Sequence, residues 1–294
     1  MLIQLLPMWT RVLVTGLVAA LAVGAQQQPK FEVMSLLGKR LESQVDGQGV
    51  VEAARKAVAA DPSNVGLILK LSAAQASMWM QQEAVETCLQ GLKAHPRNVE
   101  LLTELGHRRV ALRQFAEAKR DLELASSLGS KLPDTYYHLG LAELFLGHYK
   151  AASEAFCDRG LPLAPNEDSK VNFTNSCYAT SRRAGLSLKA EQAIAWVGAN
   201  EPAGHSAFYY DLVRFFQKAK GEAEVVPRVP AGAADMESEL RFTTIAFGVG
   251  NWYLANEDKA KAREYFEQIV KGKVWGTWGY VGSEVELARM GKLK

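Results

Sequence analysis

Residues 136–156 read YYHLGLAELFLGHYKAASEAF, and this stretch decides the fold. Its Leu139-Gly140 recurs 34 residues upstream as Leu105-Gly106, and 34 before that as Leu71-Ser72. Tyr136 stands where Leu102 and Ile68 stand. Ala152 matches Ala118 and Ala84, and Phe156 matches Leu122 and Cys88. Pro62 and Pro96 mark the seams at the same interval. Several ladders in phase at one spacing identify an internal repeat.

Each unit reads as two antiparallel helices and a tight turn. Proline ends a helix by removing a donor and restricting the residue before it. Asn64 and Asn98 follow the seam prolines and suit the N-caps of the next helices. Gly106 with Ala118, and Gly140 with Ala152, are small enough for close helix approach. Gly147 suits a left-handed helix end.

The spacing Tyr136-x2-Leu139-Gly140, then Ala152-x3-Phe156, resembles the tetratricopeptide repeat. Arg159 departs from that pattern, because a small residue is usual there. The resemblance implies an all-α, right-handed helical solenoid of about six helix pairs with a C-terminal capping helix. Such arrays grow in length without enlarging one core, so 294 residues need not mean two domains.

Working outward, residues 26–30 form a polar linker and the array runs over 31–204. Met34, Leu37 and Gly38 fit a first helix whose partner is Val50–Ala60. The phase jumps by four at Asn166–Lys170. A fourth unit then uses Cys177, Gly185, Ala190 and Ile194. Residues 205–294 hold a degenerate pair, a final pair and the cap. Phe208–Lys218 is amphipathic, and Val225–Ala234 is spoiled by Pro227 and Pro230. Met236–Ala255 and Lys259–Val270 make the last pair. Trp275, Trp278, Tyr280, Val281, Val285 and Ala288 predict one more helix, covering the open end of the array. The C-terminal part, roughly 205–291, also resembles NlpI-type periplasmic tetratricopeptide lipoproteins. Gln26 stands where their lipid-modified cysteine would be, so lipid anchoring is not implied.

Residues 1–25 carry one charge, Arg11, an apolar run Val12–Val23, and the small residues Gly24-Ala25. This is the pattern of a secretory signal peptide, with Met8 an alternative initiator. The apolar run is short against the roughly 20 residues of a membrane span. Cleavage after Ala25 gives a periplasmic or secreted protein. Retention gives a membrane-anchored accessory subunit of an envelope assembly or secretion machine, the alternative reading. The three cysteines are too few and odd in number for a disulfide framework. Cys88 reads as a core residue. Cys157 and Cys177 fall on consecutive helices, either bridged or as two core thiols.

The 34 Lys+Arg against 32 Asp+Glu do not suggest nucleic acid. The histidines show no zinc-ligand spacing, and neither a nucleophile elbow nor a phosphate loop is present, so neither enzyme, metal nor cofactor is expected. The expected partner is a protein or peptide. The resemblance implies that the first helix of each pair lines a concave groove. Carried over, that face holds Glu100, Thr103 and His107, then Tyr137, Leu141, Leu144 and Phe145, then Asn175, Arg182 and Arg183. It suits a peptide or helix with apolar anchors and an acidic flank. The bland alternative is that Leu141, Leu144 and Phe145 pack on the next unit. A chaperone-tail clamp is discounted, because Leu69, Ala73, Asp134 and His138 stand where its Lys and Asn would be.

Overall fold

The computed structural model describes residues 28–198, 207–227 and 235–291. The signal-peptide segment, the linker residues 26 and 27, and the 199–204 end of the array lie outside them. The chain opens with a two-stranded antiparallel hairpin, β1 (Phe31–Met34) and β2 (Arg40–Glu42). Helices follow: α1 (Val50–Ala60), α2 (Val65–Ser77), α3 (Gln81–Ala94), α4 (Val99–Ala111), α5 (Phe115–Ser127), α6 (Pro133–Leu146) and α7 (Tyr149–Ser153). α7 runs on as a π-helical segment, Glu154–Gly160. Then come α8 (Glu167–Arg183), α9 (Ser187–Ile194), α10 (Ala207–Phe216), the short α11 (Glu222–Val225), α12 (Met236–Ala255), α13 (Lys259–Ile269) and α14 (Trp278–Arg289). Pairs α2/α3 to α12/α13 are the six expected units, and the architecture is an all-α tetratricopeptide-type array.

The expected caps form. The side chain of Asn64 accepts from Leu67 N and that of Asn98 from Leu101 N. The close approach within each pair is also as expected. A Cβ on Gly140 would lie 2.6 Å from the Phe156 ring, and one on Gly250 2.5 Å from Phe266. Gly106 stands equally close to Leu122. Three units thus repeat one contact between a glycine and a large residue sixteen positions later.

The turn inside each pair repeats as well. Trp79, Arg113, Gly147, Gly185 and Glu257 all have left-handed φ, between 58° and 87°. Their spacings are 34, 34, 38 and 72, the phase read from the sequence. The next residue donates to a carbonyl four positions before the left-handed residue: Gln114 to Arg109 at 2.9 Å, His148 to Glu143 at 2.9 Å, Leu186 to Ser181 at 2.8 Å. This hydrogen bond closes a helix end that would otherwise leave bare carbonyls.

The departure at Arg159 has a local cause. Gly91 and Ala125 are the small, buried residues of the earlier units. The next lies at Gly160, one place late, tight against the Phe173 ring. The π-helical turn absorbs the extra residue. Arg159 is turned out over the Tyr136 ring, 4.6 Å from its centroid. The Cys157–Cys177 disulfide ties this segment to α8, with Cα atoms 5.1 Å apart. By loop entropy such a bridge contributes about 3 kcal/mol. Cys88 is a buried free thiol, its pKa pushed up to about 12 by burial.

One expectation is overturned at the N-terminus. Met34, Leu37 and Gly38 form no helix; they lie in and after β1. Phe31-Glu32-Val33-Met34 is a strand with one bulge. Gly38 takes φ 81°, and the Ser35 hydroxyl accepts from Leu37 N and Lys39 N, so the turn closes locally. Met34 is 50% exposed, so the helical spacing of apolar residues there buries nothing.

The tail departs too. α14 does cover the last pair, packing on α12 and α13. It also continues into the concave side, where residues Gly279 to Leu287 are all buried. A helix buried all round needs partners on every face. α12 lies against Gly279, which a Cβ would put 2.5 Å from Thr243 O, and Phe247 lies tight against Gly282. α6 supplies Phe145 on the other side of Gly282. Upstream of α14, Trp275 Nε1 donates to Glu42 O at 2.9 Å, so the hairpin and the tail meet and the array closes on itself.

Gly140→Ala is expected to lower stability by about 1–3 kcal/mol, because overpacking outweighs the better helix propensity of alanine. Gly47→Ala, with open space at its Cβ, is expected within about 0.5 kcal/mol of wild type. Urea unfolding of the two variants checks this; equal midpoints would contradict the packing account.

Candidate functional site: the concave face

Four clusters occupy the inner surface. The deepest is an ion pair. Arg113 Nε donates to Glu284 Oε2 at 2.9 Å, with side chains 3% and 0% exposed. Arg113 Nη2 also donates to Trp275 O at 3.0 Å, and its guanidinium lies over the Trp275 ring. Arg113 holds one of the left-handed turn positions. A non-glycine residue there costs roughly 1–2 kcal/mol. Trp79, another such position, packs against Trp275, with ring centroids 5.5 Å apart and planes tilted by 34°. Both strained residues therefore face the returning tail.

The second cluster clamps the end of α14. Arg183 Nη2 donates to both Glu286 oxygens, at 3.3 and 3.2 Å, and Nη1 to Asn251 Oδ1 at 3.0 Å. Arg289 bonds Glu286 at 2.7 Å and donates to Phe145 O at 2.8 Å and Leu144 O at 3.2 Å. A cation there satisfies the Phe145 carbonyl at the end of α6 and adds a second donor to that of Leu144, which also accepts from Gly147 N.

The third is a ring stack. His107 lies on His138 at 3.9 Å, and Trp278 of α14 covers both, at 4.9 and 5.4 Å. Burial first, then the charge of Arg108, pushes His107 down to about 4. His138 is held well below the ordinary imidazole range, mainly by burial. Its Nδ1 donates to Asp134 O at 2.8 Å. Burial would raise the carboxyl of Glu104, but His107 and Arg108 outweigh it and hold it low.

The fourth is a cavity of about 370 Å³ between α6, α8, α10, α12 and the start of α14. Tyr137, Leu141, Leu144, Asn175 and Phe247 are among its walls, and no charged side chain lines it. Tyr137 donates to Asn172 Oδ1 at 3.1 Å, and burial pushes its pKa up to about 12.

The residues expected on the groove divide among these clusters. Tyr137, Leu141, Leu144 and Asn175 line the cavity. Phe145 and Arg183 hold α14. His107 is in the ring stack. Thr103 is buried and bonded to Thr135 at 2.6 Å. Arg182 turns to Asn256, and Glu100 is exposed. The sequence reading missed Tyr209, Leu240, Thr244, Phe247, Asn251 and Trp278. They sit on late helices whose phase is shifted. The signal for a groove-buried tail was present in Gly279, Gly282 and Ser283, small residues on an otherwise large-residue helix.

Residues 133–158 match the tetratricopeptide repeat. That stretch is α6 with α7 and most of the π-helical turn. No curated protein matches the chain significantly. Solved structures resemble parts of it. MamA is 22% identical, covering 59% of this chain and 91% of that one, with a TM-score of 0.44. A tetratricopeptide repeat protein from Parabacteroides merdae is 16% identical, over 79% and 90%, at 0.47. PilF of Pseudomonas aeruginosa is 19% identical, over 79% and 88%, at 0.44. Among the described residues no three His, Cys, Asp or Glu converge as a metal site, and no helix is long and apolar enough to cross a membrane.

Two outcomes are expected from these clusters. Arg113→Ala strands the buried Glu284 carboxylate and is expected to cost about 3–5 kcal/mol. The double variant with Glu284→Ala should lose less than the sum of the singles, which a denaturation cycle measures. The histidine pair sets a pH dependence. Its folded pKa values lie below the unfolded value of about 6.5, so the unfolded chain binds protons first as pH falls. The stability they contribute is complete above about pH 6.5 and drains away towards about pH 4. Below that, Glu104 acts in the same direction, since its pKa is also depressed on folding. Urea midpoints should fall between pH 7 and pH 5, and His138→Phe should flatten that fall; an unchanged slope would contradict it.

Proposed function

We propose that the protein is an exported scaffold of the bacterial cell envelope, which binds another protein or peptide on the open part of its concave face. The observation that carries this reading is α14 itself. The groove already holds a helix with apolar Val281 and Val285 and acidic Glu284 and Glu286, met by Arg113 and Arg183. It is a surface built to receive that chemistry, and here the chain supplies it from its own tail. What α14 leaves uncovered is the wall of Tyr137, Leu141, Leu144 and Asn175. Beside it Met236 and Leu240 stand one turn apart on α12, 50% and 37% exposed. A contiguous apolar edge next to a cavity is where a partner would dock.

Export is supported by the signal-peptide pattern of residues 1–25. The Cys157–Cys177 bridge points the same way, since such bonds persist in oxidising compartments. The resemblance of 205–291 to NlpI-type periplasmic scaffolds adds to it. No catalytic role is assigned to any residue.

A photoreactive residue placed at position 240 is expected to crosslink a partner in intact cells, whereas the same probe at the exposed position 120 on α5 should not. Met236→Glu with Leu240→Glu, both on the surface, should abolish the association without unfolding the protein. Equal crosslinking from both positions would overturn the docking surface. Recovery of an intact N-terminus in membranes, rather than a soluble chain beginning at Gln26, would overturn the export reading in favour of an anchored subunit.

A further inference from the structure

The hairpin is apolar on both faces. Val33 and Leu41 are paired and pack on the core. Met34, paired with Arg40, and Phe31, paired with Glu42, stand on the outward face. The outer face of such a sheet is ordinarily polar. Here Phe31 is 38% exposed and Met34 50%, and Leu36 in the turn is 40% exposed. The Arg40 guanidinium lies 4.7 Å from the Phe31 ring centroid and bonds Glu42 at 2.7 Å.

Positive charge gathers at the tip of the same hairpin. Lys39 Nζ reaches the loop between α13 and α14, donating to Gly272 O and Tyr280 OH, each at 3.5 Å. Lys271 and Lys273 flank that glycine and are exposed. Among the described residues none of these three lysines pairs with a carboxylate. Glu239 of α12 meets the loop too, but its carboxylate accepts from the backbone N–H groups of Lys273 and Val274. Three positive charges thus face one negative charge that is already bonded.

Exposed apolar side chains beside uncompensated lysines are the composition of a membrane-surface contact. The apolar residues sit on a short turn, not in a groove. A turn encloses no side chain of a protein partner, but it can enter a layer of lipid headgroups. The apolar run Val12–Val23 ends eight residues before Phe31, a reach of at most about 28 Å. A membrane-held N-terminus would therefore keep this hairpin near the bilayer.

We infer that the hairpin and the Lys271–Lys273 loop bind the surface of a membrane rich in anionic lipid. Phe31, Met34 and Leu36 enter the headgroup layer, and Lys39, Lys271 and Lys273 meet the headgroup phosphates. This surface shares no residue with the cavity or with the Met236–Leu240 edge, so it stands whether or not a protein docks there.

Co-sedimentation of the chain Gln26–Lys294 with vesicles tests it. Vesicles of phosphatidylcholine and phosphatidylglycerol in equal parts should bind it about tenfold or more tightly than phosphatidylcholine alone. High salt should weaken that binding. Lys39→Gln with Lys271→Gln and Lys273→Gln should reduce it to the level of the neutral vesicles. Met34→Ser with Leu36→Ser should weaken it severalfold with the charge unchanged. Both variants alter exposed residues, and thermal unfolding checks that they fold. A control triple elsewhere on the surface, Lys56→Gln, Lys93→Gln and Lys131→Gln, should bind as wild type. No binding to the anionic vesicles overturns the inference, as does equal binding to both kinds. Unchanged binding by either variant, or an equal loss from the control, also overturns it. A photoreactive residue at position 36 that captures protein and no lipid in intact cells overturns it in favour of a protein contact.

Discussion

A guanidinium and a carboxylate meet in the dry centre of this molecule, and the shape of the whole chain depends on their meeting. Arg113 and Glu284 are each out of contact with water. Two ions so placed would be costly apart, because neither could recover its hydration. The tail that carries Glu284 cannot leave the groove without stranding both. Arg183, Glu286 and Arg289 hold the far end of the same helix. An array that would otherwise be an open spiral is therefore locked to its own C-terminus. The hairpin seals the closure from the other side through Glu42, Lys39 and Trp275.

The repeat makes that lock available. The helix pairs turn through a left-handed residue, which brings one position per turn towards the inner rim. Where nothing is needed, the position is Gly147 or Gly185. Where the tail must be gripped, it is Trp79 or Arg113, and the backbone strain is offset by the contacts those side chains make. Strain at such positions persists only where the surroundings over-determine it. The π-helical turn at Glu154–Gly160 is a similar local adjustment. One extra residue is absorbed so that Gly160, not Arg159, meets Phe173, and the disulfide fixes the adjusted segment to α8.

The groove is accordingly two surfaces. One half is filled by α14 and gives rigidity. The other half is an uncharged, aromatic-walled cavity. The histidine stack under Trp278 lies on the α14 side and links the stability of the closed form to pH. Rigidity on one side and an unfilled pocket on the other is a suitable arrangement for binding, since little order must be gained when a ligand arrives.

The sequence by itself determined the local structure. The 34-residue ladders, the Asn caps, the Gly-to-large contacts and the four-residue phase jumps depend on neighbours within one or two turns or one helix pair, and short-range sterics write them into residue type. The repeat positions that the resemblance implies also pointed to Tyr137, Leu141, Leu144 and Asn175, which line the cavity, and to Phe145 and Arg183, which pack on or bond α14. The periodicity misread Met34, Leu37 and Gly38, where apolar spacing fits a helix but a serine-closed turn and a left-handed glycine make a hairpin. Only the tertiary structure decided what fills the groove. The contact of Arg113 with Glu284 spans 171 residues, and no local periodicity records which distant helix will neutralise a buried charge. The same holds for the cavity: its walls come from five helices, and the space they leave is set by how the pairs stack, not by any one of them.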